Sequence, residues 1–324
     1  MKNDTKNRIL EFVKQKKEVT AKEIINYLQI SEVAVFRHLK VLIHNKELVK
    51  TGHPPKVFYY MPSKQVSLDI ELPAQATKII NDNFINITPT GELLQGEQAF
   101  LRWCQDRNYD PIEYCDEYVK IFNKYDKFKK NGLVDGIKKI TDSFEKNFLD
   151  GMYYLDFYSL EIFGKTKLGA LLLYAKQTQN TQLIDKIYQL IKDRLTKFIK
   201  DKQIEAVGFI PPTIDRQIQF QKEMEKKLNI NLPKIKLVKT KNTIAIPQKS
   251  LSKIKDRIEN AKRTIFVDDN RVFGNILLID DAVGSGATFN ETAKKIRDKN
   301  MAQRKIYGLA ITGSIKGFDI ISEI

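Results

Sequence analysis

The 324-residue sequence predicts an α/β protein: a parallel sheet with flanking helices in the C-terminal half, preceded by a small helix-turn-helix unit and a helical middle region. Three observations predict it. Strand-like and helix-like stretches alternate from residue 206 to residue 313, and such alternation implies parallel strands joined by crossover helices. The stretch Leu277–Ile296, LLIDDAVGSGATFNETAKKI, runs from an apolar strand through paired carboxylates into a glycine-rich turn and a helix. The first sixty residues carry three helical apolar stripes followed by an aromatic hairpin.

Composition sets the limits. With 42% hydrophobic and 29% charged residues the chain folds rather than staying disordered, and its length suits two or three domains. A formal net charge of +15 points to a polyanionic partner, although a lysine-rich proteome yields the same number without one. Cys104 and Cys115 form no C-x-x-C and have no histidine nearby, so they read as reduced structural cysteines of a cytosolic protein. No apolar run is long enough for a membrane span, and MKNDTKNR lacks the apolar core of a signal peptide. A cytoplasmic protein without membrane contact is the expectation.

Taken in order, residues 7–16 place Ile9, Leu10 and Val13 at helical spacing. Thr20 with Glu23 three positions on forms a capping box ahead of Ile24, Ile25 and Leu28. Ser31 can cap a third helix whose buried stripe is read as Val35, Phe36, Leu39, Leu42 and Ile43. Two helices joined by so short a turn make a helix-turn-helix. LVKTGHPPKVFYYM then reads as two strands around a Gly52–Pro55 turn. From Thr77 to about Leu149 the chain reads as mostly helical, after a linker containing Pro62 and Pro73. Its aromatic stripe of Phe100, Trp103, Tyr114, Tyr118 and Phe122 reads as core, and Gly132 and Gly136 punctuate its end. This region carries no identifiable chemistry.

The C-terminal half opens with MYYLDFYSLEIF, a strand or hairpin, and continues into helices over residues 168–199. AVGFIPP is a buried strand stopped by two prolines, and IKLVKT, NILLIDD and KIYGLAITG are further strands with helices between them. Ligands in such sheets sit at the carboxyl ends of strands, where both FIPP and LLIDDAVGSGAT fall. The glycine-rich turn is neither a Walker A loop nor a G-x-G-x-x-G fingerprint, since Phe289 stands at the third glycine position. Glycines at a strand-to-helix turn let backbone N–H groups approach a phosphate. Asp268-Asp269, in TIFVDDNRVFGN, is a second acid pair that reads as a solvated turn.

Two resemblances follow. Residues 1 to about 62 resemble a winged helix-turn-helix domain of the bacterial regulator type, by order and spacing of elements. Thirteen Lys/Arg against six Asp/Glu over residues 1–65 give that unit a charge of +7. The resemblance implies DNA binding through Glu32, Arg37, His38 and Lys40 on the third helix and through Lys50, His53 and Lys56 on the wing. Such domains also mediate protein contacts, and the same charges can simply solvate a face. The histidines 38, 44 and 53 have no carboxylate pattern that would suit a metal.

The acid pair and G-S-G-A-T turn resemble the motif of type I phosphoribosyltransferases, which bind 5-phosphoribosyl-1-pyrophosphate (PRPP). More narrowly, residues 152–314 look like the ComF family. Pro211-Pro212, Arg216, Phe220-Gln221, Pro247-Gln248, Leu251, Arg257, Asn260 and Phe266 stand in that family's order, and Lys176 falls where the family tends to have a lysine. The likeness implies a 5′-phosphate cradle at Ala282, Val283, Gly284, Ser285, Gly286, Ala287 and Thr288. Asp280 and Asp281 would take the catalytic place, accepting from ribose hydroxyls or holding a Mg²⁺ that bridges ribose and pyrophosphate. Arg216, Lys249, Lys253 and Arg257 would face the pyrophosphate or a closing loop, with Pro211, Pro212 and Lys176 at the same site. The chain departs from the family pattern at Gly284-Ser285, where two threonines are usual, in the residues after Arg216, and in lacking zinc-ribbon cysteines.

Together the resemblances imply one of three functions. The first is a ligand-responsive transcriptional regulator, similar in plan to the bacterial purine repressors, with PRPP or a related phosphorylated sugar or nucleotide as effector. The second is an active Mg²⁺-dependent phosphoribosyltransferase. The third is a retron-type defence effector that binds an unusual nucleic acid. A homodimer suits the first, since many winged-helix regulators pair on two-fold sites.

Overall fold

The computed structural model describes residues 2–16, 18–45, 47–53, 56–61, 70–88, 92–214, 216–240 and 254–314. The chain divides into two compact units, residues 1–111 and 112–324.

In the first unit, α1 (Lys2–Lys16), β1 (Glu18–Thr20), α2 (Ala21–Leu28) and α3 (Glu32–His44) precede a hairpin of β2 (Val49–His53) and β3 (Lys56–Tyr60). The strands form an antiparallel sheet in the order β1-β3-β2. The capping box at Thr20 is formed, its side chain taking the Glu23 N–H while the Glu23 carboxylate accepts from the Thr20 N–H. Ser31 caps α3 by accepting from the Ala34 N–H at 3.3 Å. Ile9, Val13, Ile24, Leu28, Val35, Leu39 and Leu42 meet in one core with Leu48 and Tyr59. Phe36, expected in that core, is 45% exposed instead. Val35, Leu39 and Leu42 already fill the inward stripe of α3, and Phe36, one residue on from Val35, is turned about 100° around the helix from it. The unit continues with α4 (Ala74–Asn83), a hairpin of β4 (Ile85–Ile87) and β5 (Leu93–Gln95), and α5 (Gly96–Arg107). Phe84, Phe100 and Trp103 pack edge-on and stacked in this part, so those aromatics are core.

The second unit begins at α6 (Pro111–Asp126). β6 (Lys129–Lys130) and β7 (Leu133–Asp135) then form a two-residue hairpin where a helical region was expected. The cause is Asn131-Gly132. Both residues have positive φ, 53° and 74°, which is the backbone of the tight turns that join strands. α7 (Ile137–Ser143) leads into β8 (Gly151–Phe157), a small hairpin of β9 (Ser159–Leu160) and β10 (Gly164–Lys165), and the helices α8 (Lys167–Thr178) and α9 (Thr181–Asp201). Next come β11 (Ala206–Phe209), α10 (Phe220–Leu228), β12 (Leu237–Lys239), α11 (Ile254–Thr264), β13 (Ile265–Val267), β14 (Ile276–Val283), α12 (Ala287–Asp298) and β15 (Ile306–Gly313).

Six strands form the main sheet in the order β11-β14-β15-β8-β7-β6. The first four run parallel, and the early hairpin adds to the β8 side antiparallel. Helices cover the faces, so β15 is buried at all eight positions and β14 at six of eight, as near-continuous apolar runs require. The IKLVKT strand, expected in the parallel sheet, is not part of it. β12 pairs antiparallel with β13 in a separate two-stranded sheet. The linker at 62–69 and the helix start at 247–253 fall outside the described residues.

The later part of the middle region, from residue 112 onward, serves the second unit. Asn290 on α12 accepts from the Phe148 N–H at 2.8 Å and donates to the Lys146 carbonyl at 3.0 Å. Arg297 on the same helix donates to the Phe148 carbonyl and to the Asp150 carboxylate. The helix that follows the glycine-rich turn is therefore stapled to the segment that precedes β8. Asp269, in the second acid pair, accepts from Arg271 and from the Lys236 N–H, while Asp268 pairs with Lys236. Those contacts hold Asp269 well below the usual carboxylate range, as befits a structural turn. Cys104 is buried in the first unit and Cys115 in the second.

Candidate functional site

The carboxyl ends of β11 and β14 open into a cleft of about 1070 Å³, counted with its mouth to solvent. Its floor is Asp280 to Phe289, and its walls come from residues 210–214, 216 and 219–221, with Lys176, Lys239 and Arg257. Pro211 and Pro212 end β11 because neither can donate to the ladder, and the Ile210 N–H makes the last bond, to Ile279.

The turn after β14 has the geometry of an anion cradle. Gly286 has φ +80°, the left-handed region that favours glycine. A Cβ there would stand 1.9 Å from Ile140 Cδ1, so α7 leaves no room for a side chain. Ser285 is buried, and its Oγ accepts weakly from the Ala287 N–H at 3.4 Å. The first N–H groups of a helix have no intrahelical partner, and those of α12 begin at this turn. Arg257 Nη1 lies 3.6 Å from where a Gly284 Cβ would be, which sets a guanidinium, only 5% exposed, beside the turn. Burial pulls that guanidinium below its ordinary pKa. Gly284, Ser285, Gly286, Ala287 and Thr288 all line the cleft, with Ala282 and Val283 leading into it.

The acid pair sits one step before the turn. Asp280 Oδ1 accepts from the Asp281 N–H at 2.7 Å. Lys176 Nζ, near the end of α8, meets Asp281 Oδ2 at 2.5 Å, with both side chains largely buried. Gln221 Nε2, in the first turn of α10, lies 3.3 Å from Asp280 Oδ1 and 3.3 Å from Asp281 Oδ2. Burial, and then the neighbouring Asp281, push the Asp280 carboxyl well above the usual carboxylate range, while the Asp281 N–H, Lys176 and Lys239 oppose the shift. Lys239, at the end of β12, donates to Thr213 Oγ1 at 2.6 Å and is pulled down by burial. Arg216 donates to the Lys176 carbonyl at 2.6 Å, which fixes the end of α8 against the wall. Four cations and two acids thus line the cleft, and burial opposes the ionisation of one of the acids, so the cleft is suited to an anionic ligand.

Two carboxyls are few ligands for a divalent cation. Among the described residues no group of three metal-ligating side chains gathers anywhere. The pair fits a Mg²⁺ that brings most of its oxygen ligands with a phosphorylated compound and water, the usual arrangement for this ion.

Sequence reasoning named most of the cleft but missed four of its polar contributors, Gln219 among them. Lys239 left no signal, being one of 55 basic residues. Gln221 stood in the family pattern without a role, and Thr213 stood beside the prolines. Lys249 and Lys253 lie outside the described residues.

On the first unit, Glu32, Arg37 and Lys40 are exposed on α3, and Lys50 is exposed on β2. His38 is half-buried, and burial followed by Arg37 and Lys6 pulls it below its ordinary pKa. His53 and Lys56 lie on paired strands, and their side chains are outside the described set. Among the described residues no helix is long and apolar enough to cross a membrane. In comparisons with known proteins, no family model matches the chain and no curated protein matches it.

Proposed function

We propose that the chain is a DNA-binding protein whose second unit binds PRPP or a related phosphorylated sugar or nucleotide, and that it acts as a ligand-responsive transcriptional regulator. The observation that carries this reading is the Asp280-Asp281 pair set one step before a glycine turn, inside a cleft with four cations. In it, the α12 amides, Ser285 and Thr288 take the 5′-phosphate, with Arg257 beside them. Asp281 and Asp280 take the ribose hydroxyls once the ligand displaces Lys176 and Gln221 from them. Lys239 and Arg216, which line the same cleft, would take further phosphates. A Mg²⁺ bound with the ligand would neutralise pyrophosphate charge.

On this reading the first unit is a winged helix-turn-helix domain, with α3 as its recognition helix and β2–β3 as its wing. Three helices, a three-stranded sheet and the exposed cations of α3 support it. The test is calorimetric titration with PRPP and Mg²⁺, alone and with duplex DNA present. Saturable binding that Asp281→Asn abolishes supports the ligand site. By linkage, DNA must shift PRPP affinity by the factor that PRPP shifts DNA affinity.

One feature favours a second reading, an active phosphoribosyltransferase. Lys239 and Arg216 line the same cleft as the acid pair, where a departing pyrophosphate would need positive charge. Pyrophosphate release from PRPP with a panel of nucleobases decides between the two. Release supports the enzyme, and tight binding without release supports the sensor.

A further inference from the structure

α3 carries apolar side chains on its outer face. Val33 is 80% exposed and Phe36 is 45% exposed, and both share a stripe with the exposed Arg37 and Lys40. Positions 33, 36, 37 and 40 have the i, i+3, i+4, i+7 spacing that brings side chains together on one helix face. The inward face is complete without them, since Val35, Leu39 and Leu42 bury fully. Single exposed apolar residues need no explanation. Here two of them alternate with cations on one stripe, within residues 1–65 whose sequence carries a charge of +7.

The charge selects a polyanion, and the apolar pair selects one that offers methyl groups between its phosphates. Duplex DNA has this pattern in its major groove, where each thymine presents a C5 methyl. Double-stranded RNA lacks that methyl, and its deep major groove does not admit a helix. We infer that Val33 and Phe36 are specificity residues that contact thymine methyls, while Arg37 and Lys40 engage phosphates or guanine edges beside them. The inference rests on the DNA-binding reading above and deepens it.

The test uses the full chain and alternating duplex polymers at one salt concentration, read by fluorescence anisotropy competition. Alternating d(A-T) is compared with d(A-U), which differs by the C5 methyl, and d(G-C) with its 5-methylcytosine form. Each methyl contacted should tighten binding roughly fourfold. The expected result is d(A-T) above d(A-U) by at least that ratio, with a parallel gain from cytosine methylation. Val33→Ala and Phe36→Ala should each shrink the ratio while leaving the salt slope unchanged, because neither removes a phosphate contact. Equal affinity for d(A-T) and d(A-U), or a ratio that both variants preserve, overturns the inference while DNA binding itself stands. Failure to bind any duplex at low salt sinks the DNA reading and this inference with it. A self-association in sedimentation that Val33→Asp dissolves would reassign the stripe to a contact between copies of the chain.

Discussion

The α3 face and the acid-pair cleft are both cationic, yet they hold their charge in opposite ways. Arg37 and Lys40 stand in solvent on a helix surface. Lys176, Lys239 and Arg257 are largely buried, and Lys176 and Lys239 already touch Asp281 and Thr213. Exposed charges are strongly screened by salt and cost little to maintain. Buried charges are screened less, but their desolvation must be offset by partners whose loss is destabilising. The first arrangement suits a long polyanion bound along its backbone, and the second suits one small anion held in a fixed pose.

The largest effect that would break this comparison lies in the cleft. Gly286→Ala forces a left-handed alanine into contact with Ile140, and should cost roughly 2–4 kcal/mol by strain and overpacking together. Thermal unfolding of the second unit measures it. Adding Ile140→Ala should recover the steric part but not the backbone part, so incomplete rescue is the expected result.

Asp281→Asn comes next. It removes the counter-charge from Lys176, and should lower stability by about 1–3 kcal/mol while abolishing measurable PRPP binding. Stability rising instead would show that Lys176 escapes to solvent at no cost. The corresponding change on the exposed face, Arg37→Ala, should leave stability within about 0.5 kcal/mol.

The pH response should differ as well. Asp280 has a folded-state pKa above its unfolded value, so the folded state binds the proton more tightly. Stability should therefore fall as pH rises from the ordinary carboxylate range through the raised value, and Asp280→Asn should flatten that slope. Denaturant midpoints across that window, measured with chelator present, check it. A slope that Asp280→Asn leaves unchanged would contradict the assigned burial.

The smallest effect sharpens the comparison on the exposed side. Arg37→Ala should reduce the slope of log affinity for duplex DNA against log salt by about 0.9, one phosphate contact. Slopes from anisotropy titrations over several salt concentrations test this.

Much of this was legible in sequence because local chemistry decided it. The Thr20 capping box, the Ser31 cap, the apolar run of β14 and the glycine turn depend on neighbours within a few positions. Asn131-Gly132 is equally local as a hairpin turn, but Gly132 reads as punctuation at the end of a helical region because no adjoining strand is longer than three residues. Phe36 departs from the expected stripe because the thirteen-residue α3 carries seven large apolar residues, more than one buried stripe holds, and periodicity does not rank them.

The sequence by itself determined the short-range chemistry: which segments pair or coil, where a turn must be glycine, and that two acids end a buried strand. Only the tertiary structure decided who meets those acids. Lys176 is 105 positions from Asp281, and Gln221 is 60 positions from it. It also decided that Ile140 closes over Gly286 and that β12 leaves the main sheet. The physical reason is range. Capping and turn preferences act through a few bonds of backbone, whereas desolvation, charge pairing and close packing act through space, and depend on which distant segments the fold brings together.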